Sequence, residues 1–121
     1  MSLMIIAALA LTLFQLWLLP ASLGLKHVDY LLASRDNPPP QSQLQERTAR
    51  AGANLQESLP AFLALCLLAT YQQADLTQTA TVWLVLRVVY IPCYMFGISL
   101  LRTLTWLGSL GCLIYMAYSL V

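Results

Sequence analysis

Residues 46–62 decide how this chain folds, and they read ERTARAGANLQESLPAF. Four polar side chains in this segment, Arg47, Arg50, Asn54 and Glu57, recur at intervals of three, four and three residues. Side chains at such intervals lie along one face of an α-helix. The opposite face carries Leu, Ala and Phe, so the segment predicts an apolar helix with one polar stripe.

The chain around this segment is unusually apolar. Of its 121 residues, 60% are hydrophobic and 9% are charged, whereas about 25% of the residues in an ordinary soluble domain are charged. This composition is typical of an integral membrane protein, and the length allows one domain. A net charge of +1 provides no basic surface for nucleic acid, so we expect no nucleic-acid partner.

Four apolar stretches each approach the roughly 20 residues that cross a hydrocarbon core as a helix. We therefore expect an all-α membrane protein, in which a single domain (1–121) forms an antiparallel bundle of four transmembrane helices. A polar loop that contains three consecutive prolines separates the first two stretches. The predicted spans are 3–25, 46–73, 78–101 and 103–121, and the predicted loop is 33–45.

The basic residues predict the orientation of the bundle. Lys26, Arg35, Arg47 and Arg50 lie at or near the first connection, Arg102 lies at the third, and the second has neither Lys nor Arg. By the positive-inside rule, the first and third connections face the cytoplasm. We expect a multi-pass protein of the inner or plasma membrane, if prokaryotic, with its site toward the cytoplasmic side.

A second polar stripe follows on the third predicted span, where Arg87, Tyr90 and Tyr94 are three and four residues apart. A charged side chain at bilayer depth costs at least ~2.5 kcal/mol, so such groups face partners, protein interior or a water-filled cavity rather than lipid. Two polar stripes in one small bundle predict that the stripes meet. The result would be a cationic, hydroxyl-rich pocket below the cytoplasmic surface.

The residues by themselves leave alternatives open. Glu57 could form a buried ion pair with Arg50 or Arg87 that only sets helix register. Arg102 could be a topology anchor whose charge reaches the headgroups. The same buried charges could also line an ion path in a small transporter or channel.

Nothing in the sequence predicts a metal site or a disulfide framework. His27 is the only histidine, and no second metal ligand stands at a usable spacing from it. Cys66, Cys93 and Cys112 each lie inside an apolar run, where free cysteine packs as a small hydrophobic residue.

Residues 46–62 resemble the second-helix signature of the membrane-associated proteins in eicosanoid and glutathione metabolism, the MAPEG family. That signature is Arg-Ala-x-x-Asn-x-x-Glu followed by Pro, and it begins here at Arg50. The residues Arg87, Tyr90 and Tyr94, with Arg102 after them, look like the third-helix pattern of the family. The likeness spans most of the chain and is nearest to the small prokaryotic members.

The resemblance implies a homotrimer with its sites between neighbouring subunits, each binding glutathione as a co-substrate. It implies a membrane-bound glutathione-dependent transferase or peroxidase, which stabilises the glutathione thiolate for attack on hydrophobic electrophiles or hydroperoxides. The hydrophobic small-molecule substrate would arrive from the membrane lipid. The alternative within the family is a non-catalytic trimeric ligand-binding or adaptor protein.

The resemblance also implies residue roles. Arg102 would be catalytic, as the group that faces the glutathione thiol, and Thr103 could assist as a hydroxyl donor. Arg47 or Arg50 would bind a carboxylate, and Glu57 would bind the ammonium group. Lys26 and His27 stand where several members have first-helix arginines. The complete expected binding set is Arg50, Asn54, Glu57, Tyr90, Tyr94, Arg47, Arg87, Lys26 and Thr103.

Overall fold

A computed structural model of the protein describes residues 2–23 and 42–121. Over these residues every regular element is helical and there is no strand, which confirms the all-α class. A π-helical turn joins α1 to α2, so these three elements form one helical segment, and the described residues contain four such segments. The elements are α1 (Ser2–Leu13), the π-helical turn (Phe14–Leu18), α2 (Leu19–Leu23), α3 (Gln43–Tyr71), α4 (Thr77–Met95) and α5 (Ser99–Leu120).

The π-helical turn ends at Leu18, two residues before Pro20. The backbone N–H of Leu19 bonds to the Phe14 carbonyl, five residues back, instead of to the carbonyl four residues back. A proline ring clashes with the carbonyl four residues before it in a regular α-helix. The wider turn is the kind of local adjustment that lets a helix continue into a proline.

A capping box starts α3 two to three residues before the predicted end of the loop. The Ser42 hydroxyl accepts from the Gln45 N–H at 3.2 Å, and the Ser42 N–H donates to Gln45 Oε1 at 2.8 Å. The remainder of the predicted loop, residues 33–41, lies outside the described residues. With 29 residues, α3 is about 43 Å long at 1.5 Å per residue, longer than a hydrocarbon core of about 30 Å.

Within the described ranges, α3 and α5 are long and apolar enough to cross a bilayer by length and composition. The segment Ser2–Leu18 is apolar but shorter. Two such helices agree with the membrane class expected from composition. The four proposed membrane spans stay predictions.

Two similar turns end α3 and α4. After α3, the Ala74 N–H donates to the Ala69 carbonyl and the left-handed Gln73 (φ 57°) donates to Thr70. After α4, the Ile98 N–H donates to the Cys93 carbonyl at 2.9 Å, and Gly97 takes the left-handed conformation with φ 72°. The Gly97 N–H also donates to the Tyr94 carbonyl at 3.2 Å. Each turn therefore has the two hydrogen bonds of a Schellman motif, which satisfy the last carbonyls of the helix.

The second of these turns corrects the predicted boundary between the third and fourth helices. The expected break was at Arg102, between spans 78–101 and 103–121, but α4 ends at Met95 and α5 begins at Ser99. Arg102 lies in the first turn of α5, where its N–H donates to the Ile98 carbonyl at 3.0 Å. The physical reason is Gly97, which takes a positive φ without steric cost and so stops α4 early.

The connection between α3 and α4 also contains Asp75. Hydrogen bonds from the side chain and the backbone N–H of Thr77 hold the pKa of the Asp75 carboxyl below its ordinary value, the backbone bond being 3.1 Å long. A carboxylate that accepts from the first helical N–H groups also complements the positive end of the helix dipole. The start of α4 is therefore determined locally.

The hydrophobic core occupies the half of the bundle next to this connection, which we call the apolar half. At its centre the rings of Phe62 and Trp83 stack with centroids 3.9 Å apart and planes 8° apart. The Thr81 hydroxyl lies 3.4 Å from the Met4 sulfur, so the start of α1 packs beside the start of α4. Other core residues of this half are Ala8, Cys66, Ala69, Leu76, Ala80, Met116 and Leu120.

Candidate functional site

The polar residues of α3, α4 and α5 collect in the other half of the bundle, which we call the site half. It consists of the first half of α3, the last half of α4 and the first turn of α5. Because α4 runs back along α3 and α5 runs back along α4, the end of α4 lies beside the starts of both neighbours. Chain connectivity therefore brings the predicted residues to one end of the bundle.

The two polar stripes meet at Arg87, as the sequence predicted. Its side chain is 1% exposed, and its Nη1 donates to Asn54 Oδ1 at 2.8 Å. Its guanidinium also lies 4.5 Å from the centroid of the Tyr90 ring, a distance at which a cation is attracted to an aromatic face. Arg87 thus ties α3 to α4 inside the site half.

Tyr94 is the point where three helices converge. The Arg50 guanidinium of α3 lies 6.0 Å from the centroid of its ring, and the Arg102 guanidinium of α5 lies 5.1 Å away. The Tyr90 ring approaches it edge to face, with centroids 5.6 Å apart. Two cations from different helices are therefore held around one phenol, an arrangement that favours an anionic ligand.

Arg47 is engaged with the end of α4. Its Nη1 donates to the Met95 carbonyl at 3.3 Å, and its guanidinium lies so close to Gly97 that a Cβ there would come within 3.1 to 3.2 Å of it. A cation at this position complements the negative end of the helix dipole. Arg47 therefore has a backbone hydrogen-bond partner, whereas Arg50 has no hydrogen-bond partner among the described residues.

The stripe on α3 divides into two rows in the single chain. Arg47 and Asn54 are partly buried toward α4, whereas Arg50 and Glu57 are exposed. In the single chain, the positions of α3 that face the core are the neighbouring ones, which include Thr48, Ala51 and Leu55. Glu57 forms no ion pair with any residue in the described ranges, and Arg87 binds Asn54 instead, so the register-setting ion pair is not what holds these helices.

Of the two remaining predicted residues, one lies apart from these contacts and one lies outside the described residues. Thr103 is exposed and its hydroxyl donates to the Ser99 carbonyl of its own helix at 3.0 Å. Lys26 lies outside the described residues. In the described part of the chain, no group of three or more His, Cys, Asp or Glu side chains could hold a metal ion.

Sequence reasoning missed Gln15, which lies on the π-helical turn. Its side chain is 0% exposed, and neither amide atom has a hydrogen-bond partner among the described residues. The backbone carbonyl of Gln15 lies 3.7 Å from where a Cβ would stand at the buried Gly52, so the main chain of the π-helical turn packs against the first half of α3. The sequence does contain a signal for this residue, because Gln15 is a long polar side chain within the first apolar stretch.

Gly97 and the Met95 carbonyl were also missed. Glycine is a common residue just after the end of a helix, so Gly97 was a weak signal for the correct break. The contact between Arg47 and the Met95 carbonyl joins residues 48 positions apart. Local sequence patterns do not predict such a tertiary contact.

Comparison with known families gives one result for the chain as a whole. The model of the MAPEG family matches residues 2–121. Comparison with curated proteins finds no match.

Proposed function

The chain belongs to the MAPEG family, and from this premise we propose that it is a membrane-bound glutathione-dependent transferase or peroxidase. Membership supports glutathione-related transferase or peroxidase chemistry, or a related function, at the level of the family. The observation that carries the more specific proposal is the convergence of Arg50 and Arg102 on the ring of Tyr94.

This pair of guanidiniums favours an anionic ligand. Neither Arg50 nor Arg102 has a carboxylate partner among the described residues, and unpaired cations on membrane helices are costly. An anion that binds between them would offset this cost through charge-assisted hydrogen bonds. Glutathione carries two carboxylates and a thiol that can ionise, so it offers an anionic group to each arginine.

Arg102 is the proposed catalytic residue. A free thiol has a pKa of about 8.5, and lowering that pKa to about 7 requires about 2 kcal/mol of preferential stabilisation of the thiolate. A unit charge about 4 Å away supplies up to about 4 kcal/mol at the effective dielectric of a protein surface. One guanidinium beside the sulfur is therefore sufficient.

The thiolate would then act as the nucleophile. In transfer, its sulfur forms a bond to an electrophilic carbon of a hydrophobic substrate while the leaving group departs with the electron pair of the broken bond. In reduction of a hydroperoxide, the sulfur takes the terminal oxygen, the O–O bond breaks, and the alkoxide takes up a proton. Both routes need the same ionised sulfur.

The remaining predicted residues divide by their contacts. Arg50 is the better candidate for a ligand carboxylate, because Arg47 already binds the end of α4. Glu57 is exposed and unpaired among the described residues, so it is available for the ammonium group of the ligand. Asn54 and Tyr94 would supply an amide and a hydroxyl.

We further propose that four membrane spans and a trimeric assembly complete the site. Arg50 and Glu57 are exposed in the single chain, and lipid is a poor surrounding for both. A second copy of the chain against this face would enclose them and place the site between subunits. Members of the family are generally trimeric, and the site would open toward the cytoplasmic side.

The decisive experiment measures glutathione thiolate by its ultraviolet absorbance on the detergent-solubilised protein as a function of pH. We expect the wild-type protein to lower the pKa of the bound thiol to about 7 and Arg102→Leu to return it toward about 8.5, which leaves about fifteenfold less thiolate at pH 7. Arg102→Lys is the matched control, because it keeps the charge and should keep most of the thiolate.

Three results would decide against parts of this proposal. Absence of glutathione binding by calorimetry would contradict the function as a whole. Equal ionisation in the wild type and Arg102→Leu would contradict the role of Arg102. Binding of glutathione without any thiolate would favour the non-catalytic ligand-binding alternative.

A further inference from the structure

We infer that Arg87 is a positioning residue, which does not contact the ligand. It holds the amide oxygen of Asn54, so that Asn54 offers a hydrogen-bond donor to the glutathione site; we call this the donor polarity of Asn54. The inference rests on the proposed glutathione site. The first observation is burial, because Arg87 is 1% exposed even in the single chain. Arg50 is exposed and Arg102 is half-buried, so they present surface to a ligand and Arg87 does not.

The second observation is the direction of the hydrogen bond between Arg87 and Asn54. A guanidinium has donors only, so the Asn54 atom at 2.8 Å from Nη1 must be the amide oxygen. This contact removes the usual ambiguity between the two ends of an amide. With its oxygen held by Arg87, Asn54 has its NH2 group left over for another partner, and this is the hydrogen-bond donor that the proposed site receives.

A fixed donor at Asn54 selects the chemistry of the ligand. It binds a carbonyl or carboxylate oxygen and leaves an N–H group of the ligand unpaired. Without Arg87 the amide could rotate by half a turn and present its oxygen instead. Arg87 therefore determines that this position recognises an acceptor, such as a peptide carbonyl of glutathione.

The third observation is the contact with the tyrosines. The Arg87 guanidinium lies 4.5 Å from the Tyr90 ring, and Tyr90 packs edge to face on Tyr94 at 5.6 Å. Tyr94 is the ring that Arg50 and Arg102 approach. One buried cation thus contacts both Asn54 and the aromatic pair that Arg50 and Arg102 approach.

Packing stability alone is a poor explanation for Arg87. Its Nε and Nη2 have no hydrogen-bond partner among the described residues, and a buried charge with incomplete partners is costly. Replacement of buried charged groups by apolar side chains of similar volume is often neutral or stabilising. Because burying Arg87 costs folding free energy, its presence is better explained by its orientation of Asn54.

A double-mutant cycle tests this role. Glutathione affinity is measured by calorimetry for the full-length wild type, Arg87→Met, Asn54→Ala and the double variant. We expect Arg87→Met to weaken binding about tenfold, the value of one hydrogen bond to a charged group. In the Asn54→Ala background the same change should have no further effect, because two residues that act through one contact are not additive. Arg87→Lys should restore part of the affinity, since it keeps a donor for Asn54.

A second variant tests the donor polarity directly. Asn54→Asp has nearly the same shape and keeps an acceptor for Arg87, but it replaces the NH2 group by a second acceptor oxygen. We expect it to keep the thermal stability of the wild type or exceed it while it binds glutathione at least about tenfold more weakly. Because this variant strengthens the contact with Arg87, the protein should stay folded, and weaker glutathione binding would not be due to unfolding.

The outcomes separate this inference from the proposed function. Failure of the wild type to bind glutathione overturns both. Binding by the wild type with additive losses for Arg87→Met and Asn54→Ala overturns the positioning role alone and makes Arg87 a direct contact. Wild-type affinity in Asn54→Asp overturns the assigned donor polarity. Non-additive losses, with weak binding by Asn54→Asp, support the inference.

Discussion

The apolar half and the site half are built from the same three long helices, yet they are held together by different interactions. In the apolar half, Phe62 and Trp83 stack at 3.9 Å among buried aliphatic side chains. In the site half, Arg87 binds Asn54 and two further arginines approach Tyr94. Apolar packing stabilises the apolar half, whereas the site half contains cations that have no carboxylate partner among the described residues. The difference indicates that stability resides mainly in one half and ligand recognition in the other.

The same division separates the two helix-ending turns. The turn after α3, beside the apolar half, places Gln73 in the left-handed conformation, where a side chain is strained. The turn after α4, in the site half, uses Gly97 and carries the Arg47 guanidinium directly on it. A side chain is tolerated at one turn, and at the other even a methyl group would disturb a charged neighbour.

The largest effect on stability should come from Phe62→Ala. We expect a loss of about 3 kcal/mol, at the lower end of the range for buried Phe to Ala changes, because lipid is itself apolar and the packing term dominates. Thermal unfolding in detergent measures the loss, and glutathione affinity of the folded protein should stay unchanged.

The matched control for this change is Leu67→Ala on the same helix, at a side chain that is 60% exposed. It should have a much smaller effect. A drop in glutathione affinity of folded Phe62→Ala would show that the halves are coupled, and the division between stability and recognition would then be wrong.

A smaller effect is expected for Gly97→Ala in the site half. Alanine at φ 72° costs about 1 to 2 kcal/mol, and its Cβ would come within 3.2 Å of the Arg47 guanidinium carbon, which must move. We expect a lower unfolding temperature together with a change in glutathione affinity, because Arg47 neighbours the site.

Gly111→Ala on α5 is the control, since the added methyl group would have no atom of the described residues within 4 Å apart from the local backbone of its own helix. It should be neutral or should stabilise the helix by up to about 1 kcal/mol. If Gly97→Ala changed stability no more than Gly111→Ala, the turn after α4 would not have the importance assigned to it.

The smallest effect should be a gain. Gln73→Gly removes the left-handed strain after α3 and should stabilise the protein by about 0.5 to 1 kcal/mol, less the larger entropy of glycine in the unfolded chain. Gln72→Gly is the control, because Gln72 has a helical backbone and its side chain donates to the Leu120 carbonyl at 3.2 Å. That control should destabilise; equal effects of the two changes would argue against strain at Gln73.

Much of the fold could be predicted from residues close together in the chain. Apolar runs indicated helical segments, and the spacing of Arg47, Arg50, Asn54 and Glu57 indicated one side of α3. The charged Arg102 predicts the break before α5 at the wrong place, since α5 already begins at Ser99. The decisive feature was the backbone conformation of Gly97, which a single glycine in an apolar stretch indicates only weakly.

The composition of the candidate site was also accessible from the sequence, but its internal arrangement was not. Spacing predicted that the stripes of α3 and α4 meet, and they do so at Arg87. Spacing could not tell that Arg87 is buried while Arg50 and Glu57 are exposed. Burial depends on which neighbouring helix covers each side chain, and that is decided when the helices pack.

By itself, the sequence determined the membrane class, the all-helical architecture and the family signature, because apolar content and helical periodicity are local properties of the chain. Only the tertiary structure decided which arginine serves which purpose. Arg47 caps α4, Arg87 orients Asn54, and Arg50 and Arg102 remain without carboxylate partners in the described ranges. The four guanidinium groups are chemically identical, but their surroundings differ because each contact joins residues on separate helices. Asn54 and Arg87, for example, are 33 positions apart in the sequence.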